Sequence, residues 1–137
     1  MSVPENKRSE STMEVFRKAQ EMASHTALIL ANDRIFNPKV DPKIIELIKE
    51  SAYGINAKAW AANKIRAETN TFNRAIRYSL QEEAITMCDE LLAYIGIAKK
   101  LFHVRSRKVK YWAKLVVDTR NLLQAWKESD VRRYGQP

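Results

Sequence analysis

The sequence predicts an all-α fold, an antiparallel up-down-up-down four-helix bundle. Apolar residues recur with helical spacing through most of the 137 residues, and only three Gly and four Pro interrupt them. A hydrophobic share of 45% supplies a core, and the length suits one domain. We expect the bundle over residues 11–130, with a flexible N-terminal tail over residues 1–10 and a C-terminal tail over residues 131–137.

Helix 1 is expected to begin at Ser11, because Ser11 and Glu14 have the spacing of a capping box. The apolar stripe that follows consists of Phe16, Ala19, Ala23, Ala27 and Leu30. The helix should end near Asn32, since the next stretch, FNPKVDP, contains two prolines.

Helix 2 has a favoured start, with Asp41 as N-cap and Pro42 at the first helical position. Its stripe consists of Ile45, Ile48, Ala52, Ile55, Ala59 and Ala62. Gly54 lies within this helix and is interpreted as a packing residue that lets another helix approach. The polar cluster from Glu68 to Asn73 predicts the next break.

Helices 3 and 4 are predicted from about Phe72 to His103 and from Ser106 onward, with Ser106 as the cap. The stripe of helix 3 consists of Ala84, Cys88, Leu91, Ile95, Ala98 and Phe102. The stripe of helix 4 consists of Val109, Trp112, Val116, Thr119, Leu123 and Trp126. Such heptad spacing with short loops predicts antiparallel neighbours. The tail from Asp130 onward is expected to fray.

A second apolar set on helices 3 and 4 exceeds what one core needs. It consists of Met87, Leu92, Leu101, Leu115, Val117 and Leu122. We interpret it as a face for self-association, and a thick core is the alternative.

The charge is positive and uneven. The net charge is +8, and residues 69–137 hold thirteen Lys or Arg against seven Asp or Glu. No acid lies between Glu90 and Asp118. A basic field of this kind favours a polyanionic partner, RNA or DNA bound through its phosphates.

The sequence gives little support to an enzyme, a cofactor or a metal site. Glu21 and His25 lie one helical turn apart, but a carboxylate-bridged metal bundle needs a Glu-x-x-His pair on each of two helices. His25 is therefore interpreted as an ordinary helix histidine. We find no glycine-rich phosphate loop, no CxxC motif and no serine elbow.

The acidic residues of helix 3 are interpreted as a solvated face. These residues are Glu82, Glu83, Asp89 and Glu90. We expect them to pair with Arg74 and Arg77. Asp118 is expected to bridge to Arg120 or to another subunit.

The cell compartment expected is the cytoplasm. The single Cys88 cannot form an internal disulfide, which favours a reducing environment. The first ten residues are polar and do not resemble a secretory signal. The longest uncharged run, Met22 to Asn32, falls short of the roughly 18–20 residues that span a bilayer.

Bundle topology would bring the helix 1–2 loop and the helix 3–4 loop to the same end. The candidate nucleic-acid-binding residues gathered there are Arg34, Lys39, Lys43, Lys99, Lys100, His103, Arg105, Arg107, Lys108, Lys110, Tyr111 and Lys114. The basic side chains would contact phosphates, and Tyr111 could stack on a base. Trp112 is interpreted as core.

Most of the chain, about residues 13–134, resembles the accessory variability determinants of diversity-generating retroelements. These are four-helix-bundle proteins related to those encoded in intervening sequences of bacterial 23S ribosomal RNA genes. The resemblance rests on AKAWAAN in helix 2, on the Gln81-x-x-Ala84 motif before a Leu-rich helix 3, and on Trp126 near the end of helix 4.

This resemblance implies a basic, homopentameric, barrel-like assembly. It also implies a noncatalytic protein that binds template RNA and a reverse transcriptase, and that supports mutagenic retrohoming, the copying of a template repeat into a variable repeat. Two alternatives remain open: a ribosomal-RNA-associated bundle without a polymerase partner, and a structural oligomer whose charge provides solubility.

Overall fold

The fold is all-helical, as predicted. A computed structural model describes the backbone of residues 5–137 and the side chains from residue 12 onward. Over that range it contains four α-helices and no strand: α1 (Glu5–Leu30), α2 (Pro42–Lys64), α3 (Thr71–Phe102) and α4 (Ser106–Tyr134). α1 and α3 each pack against both α2 and α4. This arrangement around one shared core is consistent with a four-helix bundle.

The predicted stripes of helices 2 and 3 form the core. Every residue of both stripes is buried, and so is every residue of the helix 4 stripe except Val109, which packs partly buried against the core. Of the helix 1 stripe, only Ala27 is not fully buried. Heptad spacing predicted these faces because it keeps one side of each helix toward its neighbours.

Two helix starts differ from the prediction. α1 begins at Glu5, so Ser11 lies inside the helix and is not its N-cap. The predicted tail over residues 1–10 lies partly outside the described residues. At the start of α4 the N-cap position belongs to Arg105, which makes no side-chain capping bond, and Ser106 is the first helical residue.

The start of α2 confirms the prediction. Asp41 Oδ1 accepts hydrogen bonds from the backbone N–H groups of Lys43 and Ile44, at 3.0 and 3.2 Å. Pro42 lacks an N–H and therefore loses no bond at that position. α3 begins in the same way, since Asn70 Oδ1 accepts from the N–H of Asn73 at 2.7 Å.

Gly54 leaves room on α2 for a side chain of α3. A Cβ atom at Gly54 would meet the Cε of Met87, which is the flexible end of that side chain. The Met87 side chain therefore fills the space beside Gly54, and a larger residue there would require it to move.

Aromatic contacts join the α1–α2 loop to the end of α3 and the start of α4. Phe36 of the α1–α2 loop lies 5.1 Å from the Phe102 ring and 6.0 Å from the Trp112 ring, edge-on to the latter. Trp112 Nε1 in turn donates to Thr26 Oγ1 at 2.9 Å. We call this part of the molecule the loop end.

A buried polar cluster joins the beginning of α3 to the last turns of α4. Asp130 is 1% exposed, and its Oδ2 accepts from Arg77 Nε at 2.7 Å and from Gln81 Nε2 at 2.8 Å. Tyr78 donates its hydroxyl proton to the carbonyl of Gly135 at 2.8 Å. We call this part the Asp130 end. The fraying expected from Asp130 onward is not observed, because α4 continues to Tyr134.

Candidate nucleic-acid interface

All twelve predicted binding residues are exposed. They fall on three segments that adjoin the loop end. Arg34 and Lys39 belong to the α1–α2 loop, and Lys43 follows in the first turn of α2. The others occupy the last turn of α3, the short α3–α4 loop and the first turns of α4.

Three of the basic residues follow a regular pattern in the α1–α2 connection. The backbone N–H of Arg34, Lys39 and Lys43 each donates to the side chain of the Asn or Asp two residues earlier. Side chains of this type stabilise turns by accepting from their own backbone. The turn chemistry of this segment therefore fixes the backbone at each of the three basic positions.

The short α3–α4 loop, residues 103–105, begins with a left-handed residue, His103. Its φ of 52° and ψ of 46° are left-handed, and it is the one non-glycine residue with positive φ in the described range. Its N–H bonds to the carbonyl of Lys99. His103 thus ends α3 through its backbone, and its exposed ring is free to face a ligand.

The helix dipole explains only part of this charge. Lys99 and Lys100 lie in the last turn of α3, where positive charge is favourable. The first turn of α4 contains no acid and has Arg107 and Lys108 instead, opposite to what the positive end of a helix favours. This positive charge therefore costs stability unless an anion neutralises it.

Most of the predicted basic residues are free of carboxylate partners. Across the described part of the chain, ion pairs within 4.0 Å involve only Lys114 of this set. Lys114 Nζ lies 2.7 Å from Asp118 Oδ2, and this hydrogen bond raises the pKa of Lys114. Asp118 was expected to bridge to Arg120 or to another subunit, but Arg120 pairs with Asp89. Lys114 is consequently the weakest member of the predicted set.

Three of the four acids of α3 form ion pairs, but with partners other than Arg74 and Arg77. Glu82 binds Lys127 at 2.7 Å, Glu83 binds Lys58 at 2.9 Å, and Asp89 binds Arg120 at 2.7 Å. Arg74 bonds to the carbonyl of Ala67, and Arg77 bonds to Asp130. The three ion pairs join α3 to α2 or α4. Apart from Lys114, the predicted basic residues have no carboxylate partner within 4.0 Å among the described residues.

The structure also forms a groove of about 530 Å³ at the loop end, which the sequence did not predict. It lies between the end of α1, the α1–α2 loop and the start of α4. Its lining residues are His25, Leu28, Ile29, Asn32, Ile35, Phe36, Val104, Arg107, Lys108 and Tyr111. Only Arg107, Lys108 and Tyr111 of these belong to the predicted site.

One wall of the groove is aromatic. The rings of His25 and Tyr111 meet edge-to-face, with centroids 4.9 Å apart. Burial lowers the pKa of His25 below its usual value, and nearby Glu21 opposes this effect. The imidazole is therefore mostly neutral at pH 7, and Tyr111 remains 52% exposed.

Other candidate chemistry finds no support in the described residues. They contain no cluster of three or more His, Cys, Asp or Glu side chains that could hold a metal ion. Cys88 is fully buried, and burial raises the pKa of its thiol to about 12. No helix in the part of the chain with assigned structure has a stretch long and apolar enough to cross a membrane.

Comparison with protein-family models, with curated proteins and with solved structures found no match.

Proposed function

We propose that this protein is a noncatalytic, basic accessory protein that binds nucleic acid through the loop end. The observation that carries the proposal is the group of exposed, unpaired Lys and Arg side chains there, including those at the start of α4. Phosphate oxygens would neutralise charge that the helix dipole disfavours, so binding and helix stability reinforce each other.

We further propose template RNA as the nucleic acid and a reverse transcriptase as the protein partner. This part rests on the resemblance to the accessory variability determinants. The polymerase would carry out the chemistry of mutagenic retrohoming, and this protein would hold the template. Cys88 is the single cysteine of the sequence and cannot form an internal disulfide, which fits action in a reducing compartment such as the cytoplasm.

We also propose how the helices are ordered and how copies of the protein associate. The helices would run up-down-up-down, supported by the Phe36–Phe102 contact at the loop end and the Tyr78–Gly135 bond at the Asp130 end. Copies would associate into a pentameric barrel through apolar side chains that remain exposed on α3 and α4. Of the predicted second apolar set, Leu101 at 39% and Val117 at 38% remain exposed, and Ile97 of α3 is 48% exposed as well. Leu115 is buried, and Met87, Leu92 and Leu122 pack partly buried against the core, so these four do not belong to the face. Association would repeat the basic surface and make binding multivalent.

A gel shift with single-stranded RNA tests the binding. The variant changes four residues to Glu: Arg105, Arg107, Lys108 and Lys110. Glu near the start of α4 favours the helix dipole, so the variant should remain folded. We expect RNA binding to be lost at about 0.1 M salt. Undiminished binding by this variant would contradict the assignment of the loop end.

The partner and the assembly have their own tests. Co-purification with the reverse transcriptase of the same genetic element would support the polymerase as a partner. If co-purification fails while RNA binding is retained, the result would favour an RNA-binding protein without a polymerase partner. Light scattering should give a mass of several subunits. The double change Ile97→Glu and Leu101→Glu should reduce that mass, and an unchanged mass would exclude this face.

A further inference from the structure

The groove at the loop end combines an apolar floor with a basic rim. Ile29, Ile35, Phe36 and Val104 contribute apolar side chains to it. Its volume of about 530 Å³ falls within the range of sites that enclose small organic groups. A phosphate alone would not use an apolar floor, so a ligand that fits must carry an apolar part as well.

The floor is held by packed core groups. Phe36 is 1% exposed and lies edge-on to Trp112, which is fully buried. Trp112 is itself fixed by its bond to Thr26. The groove is therefore formed before any ligand binds, and binding does not have to order the floor of the groove.

Tyr111 supplies a flat surface beside the floor. His25 holds its ring edge-to-face at 4.9 Å, yet about half of the residue remains exposed. Aromatic side chains held in this way are platforms on which unpaired bases stack. A planar heterocycle matches both the aromatic wall and the apolar floor.

Arg107 and Lys108 supply positive charge at the rim. Both are exposed, and neither pairs with a carboxylate in the described part of the chain. The neighbouring Arg105 and Lys110 extend this positive charge, with no acid among them. Uninterrupted charge of one sign fits a backbone with one phosphate per base better than an amphipathic helix of mixed polarity.

We propose that this groove holds an unpaired base of a single-stranded nucleic acid, stacked on Tyr111, with the adjoining phosphates on Arg107 and Lys108. The inference rests on the proposed function and makes it more specific. A paired base is stacked inside its duplex and cannot enter, so the protein should prefer single strands to duplexes.

The test compares three ligands that carry the same number of phosphates: an unstructured single strand, an abasic strand of the same length that has the backbone but no bases, and a hairpin duplex folded from one strand of that length. Fluorescence anisotropy gives the dissociation constant of each for the wild type. Three tyrosine variants are compared, Tyr111→Ala, Tyr111→Phe and Tyr53→Ala. Tyr53 is the matched control, because it is 51% exposed but lies in the middle of α2.

We expect the wild type to bind the single strand more tightly than the abasic strand. Tyr111→Ala should weaken single-strand binding by about 5- to 100-fold, leaving it close to the abasic strand, while Tyr111→Phe should keep most of the affinity. Binding of the abasic strand and the duplex should not respond to Tyr111→Ala. Tyr53→Ala should bind all three ligands as the wild type does.

The outcomes separate the two proposals. If all three ligands bind wild type equally and Tyr111→Ala has no effect, the loop end contacts phosphates alone and the groove inference is wrong, while the proposed function stands. If no ligand binds even at low salt, both fail. If Tyr111→Ala weakens binding of an acidic amphipathic peptide but of none of the strands, the groove belongs to a protein partner and the inference is overturned.

Discussion

Loss of the Asp130 carboxylate should be among the most destabilising single changes on this protein's polar groups. Asp130→Ala removes the acceptor for Arg77 Nε and Gln81 Nε2. The Arg77 side chain, which is only 13% exposed, then has no counter-charge. Breaking a buried ion pair by removing one partner costs about 3–5 kcal/mol. Arg77 keeps its bond to the Ile65 carbonyl and its place over the Trp126 ring, so we expect the low end of that range.

Urea unfolding followed by circular dichroism measures this change. A loss of about 3 kcal/mol corresponds to a fall in Tm of about 10 °C for a chain of this size. Wild type and variant must be compared at one protein concentration, because any association would add to the stability. Asp118→Ala is the matched control: its partner Lys114 is 71% exposed, and solvent screens such a pair, so its loss should change the stability little.

A double-mutant cycle shows whether the pair itself is the cause. Arg77→Met together with Asp130→Ala should cost less than the two single changes added together, since neither charge is then left alone. A loss below about 1 kcal/mol for Asp130→Ala, or additive losses in the cycle, would refute the reasoning.

Three further changes have definite expected outcomes. His103→Gly should stabilise the protein by up to about 1 kcal/mol in urea unfolding, since glycine adopts the left-handed conformation without strain, and destabilisation would show that the ring contributes contacts. The Cys88 thiol should resist a thiol reagent at about pH 8 until the protein unfolds, because its pKa is raised to about 12 and it is fully buried; prompt reaction of folded protein would contradict this. Burial lowers the folded-state pKa of His25, so the unfolded chain binds its proton more readily, and stability should fall as the pH drops below about 6.5. His25→Gln should remove that part of the pH dependence, and an unchanged pH profile would mean that His25 does not cause it.

The core faces were predictable because they depend on local periodicity. The stripe from Ala84 to Phe102 and the stripe from Ile45 to Ala62 are buried throughout. A repeat of three and four residues fixes which side of a helix is apolar, whatever the helix packs against. The start of α2 was equally local, since Asp41 and Pro42 adjoin the residues that they cap.

The helix ends that were predicted wrongly are those where the local sequence pattern and the contacts between residues distant in the chain disagree. The capping-box spacing of Ser11 and Glu14 did not start a helix, since α1 begins at Glu5. The C-terminal stretch is polar enough to suggest fraying. Asp130 is nevertheless buried there by partners 53 and 49 residues away in the chain, and no local pattern signals such partners.

The binding residues were predicted from the charge and the topology of the chain, and the structure shows that they are exposed.

The groove could not be predicted from the sequence because it depends on how the end of α1 packs against the start of α4. His25 and Leu28 lie one turn apart on α1, and Asn32 lies beyond its end in the α1–α2 loop. The contact of His25 with Tyr111 is tertiary, and spacing along one helix does not signal it.

The most direct test of the central claim is the salt dependence of RNA binding. Two variants remove equal positive charge: one changes Arg107, Lys108 and Lys110 to Gln at the loop end, and the other changes Lys64, Arg66 and Arg132 to Gln near the Asp130 end. For a single strand, each lost phosphate contact should reduce the slope of log K against log salt by about 0.7. We expect the slope of the loop-end variant to be about 2 smaller in magnitude than the slope of the wild type, and the slope of the control variant to be unchanged. Equal slopes for the two variants would contradict the claim that the loop end binds nucleic acid.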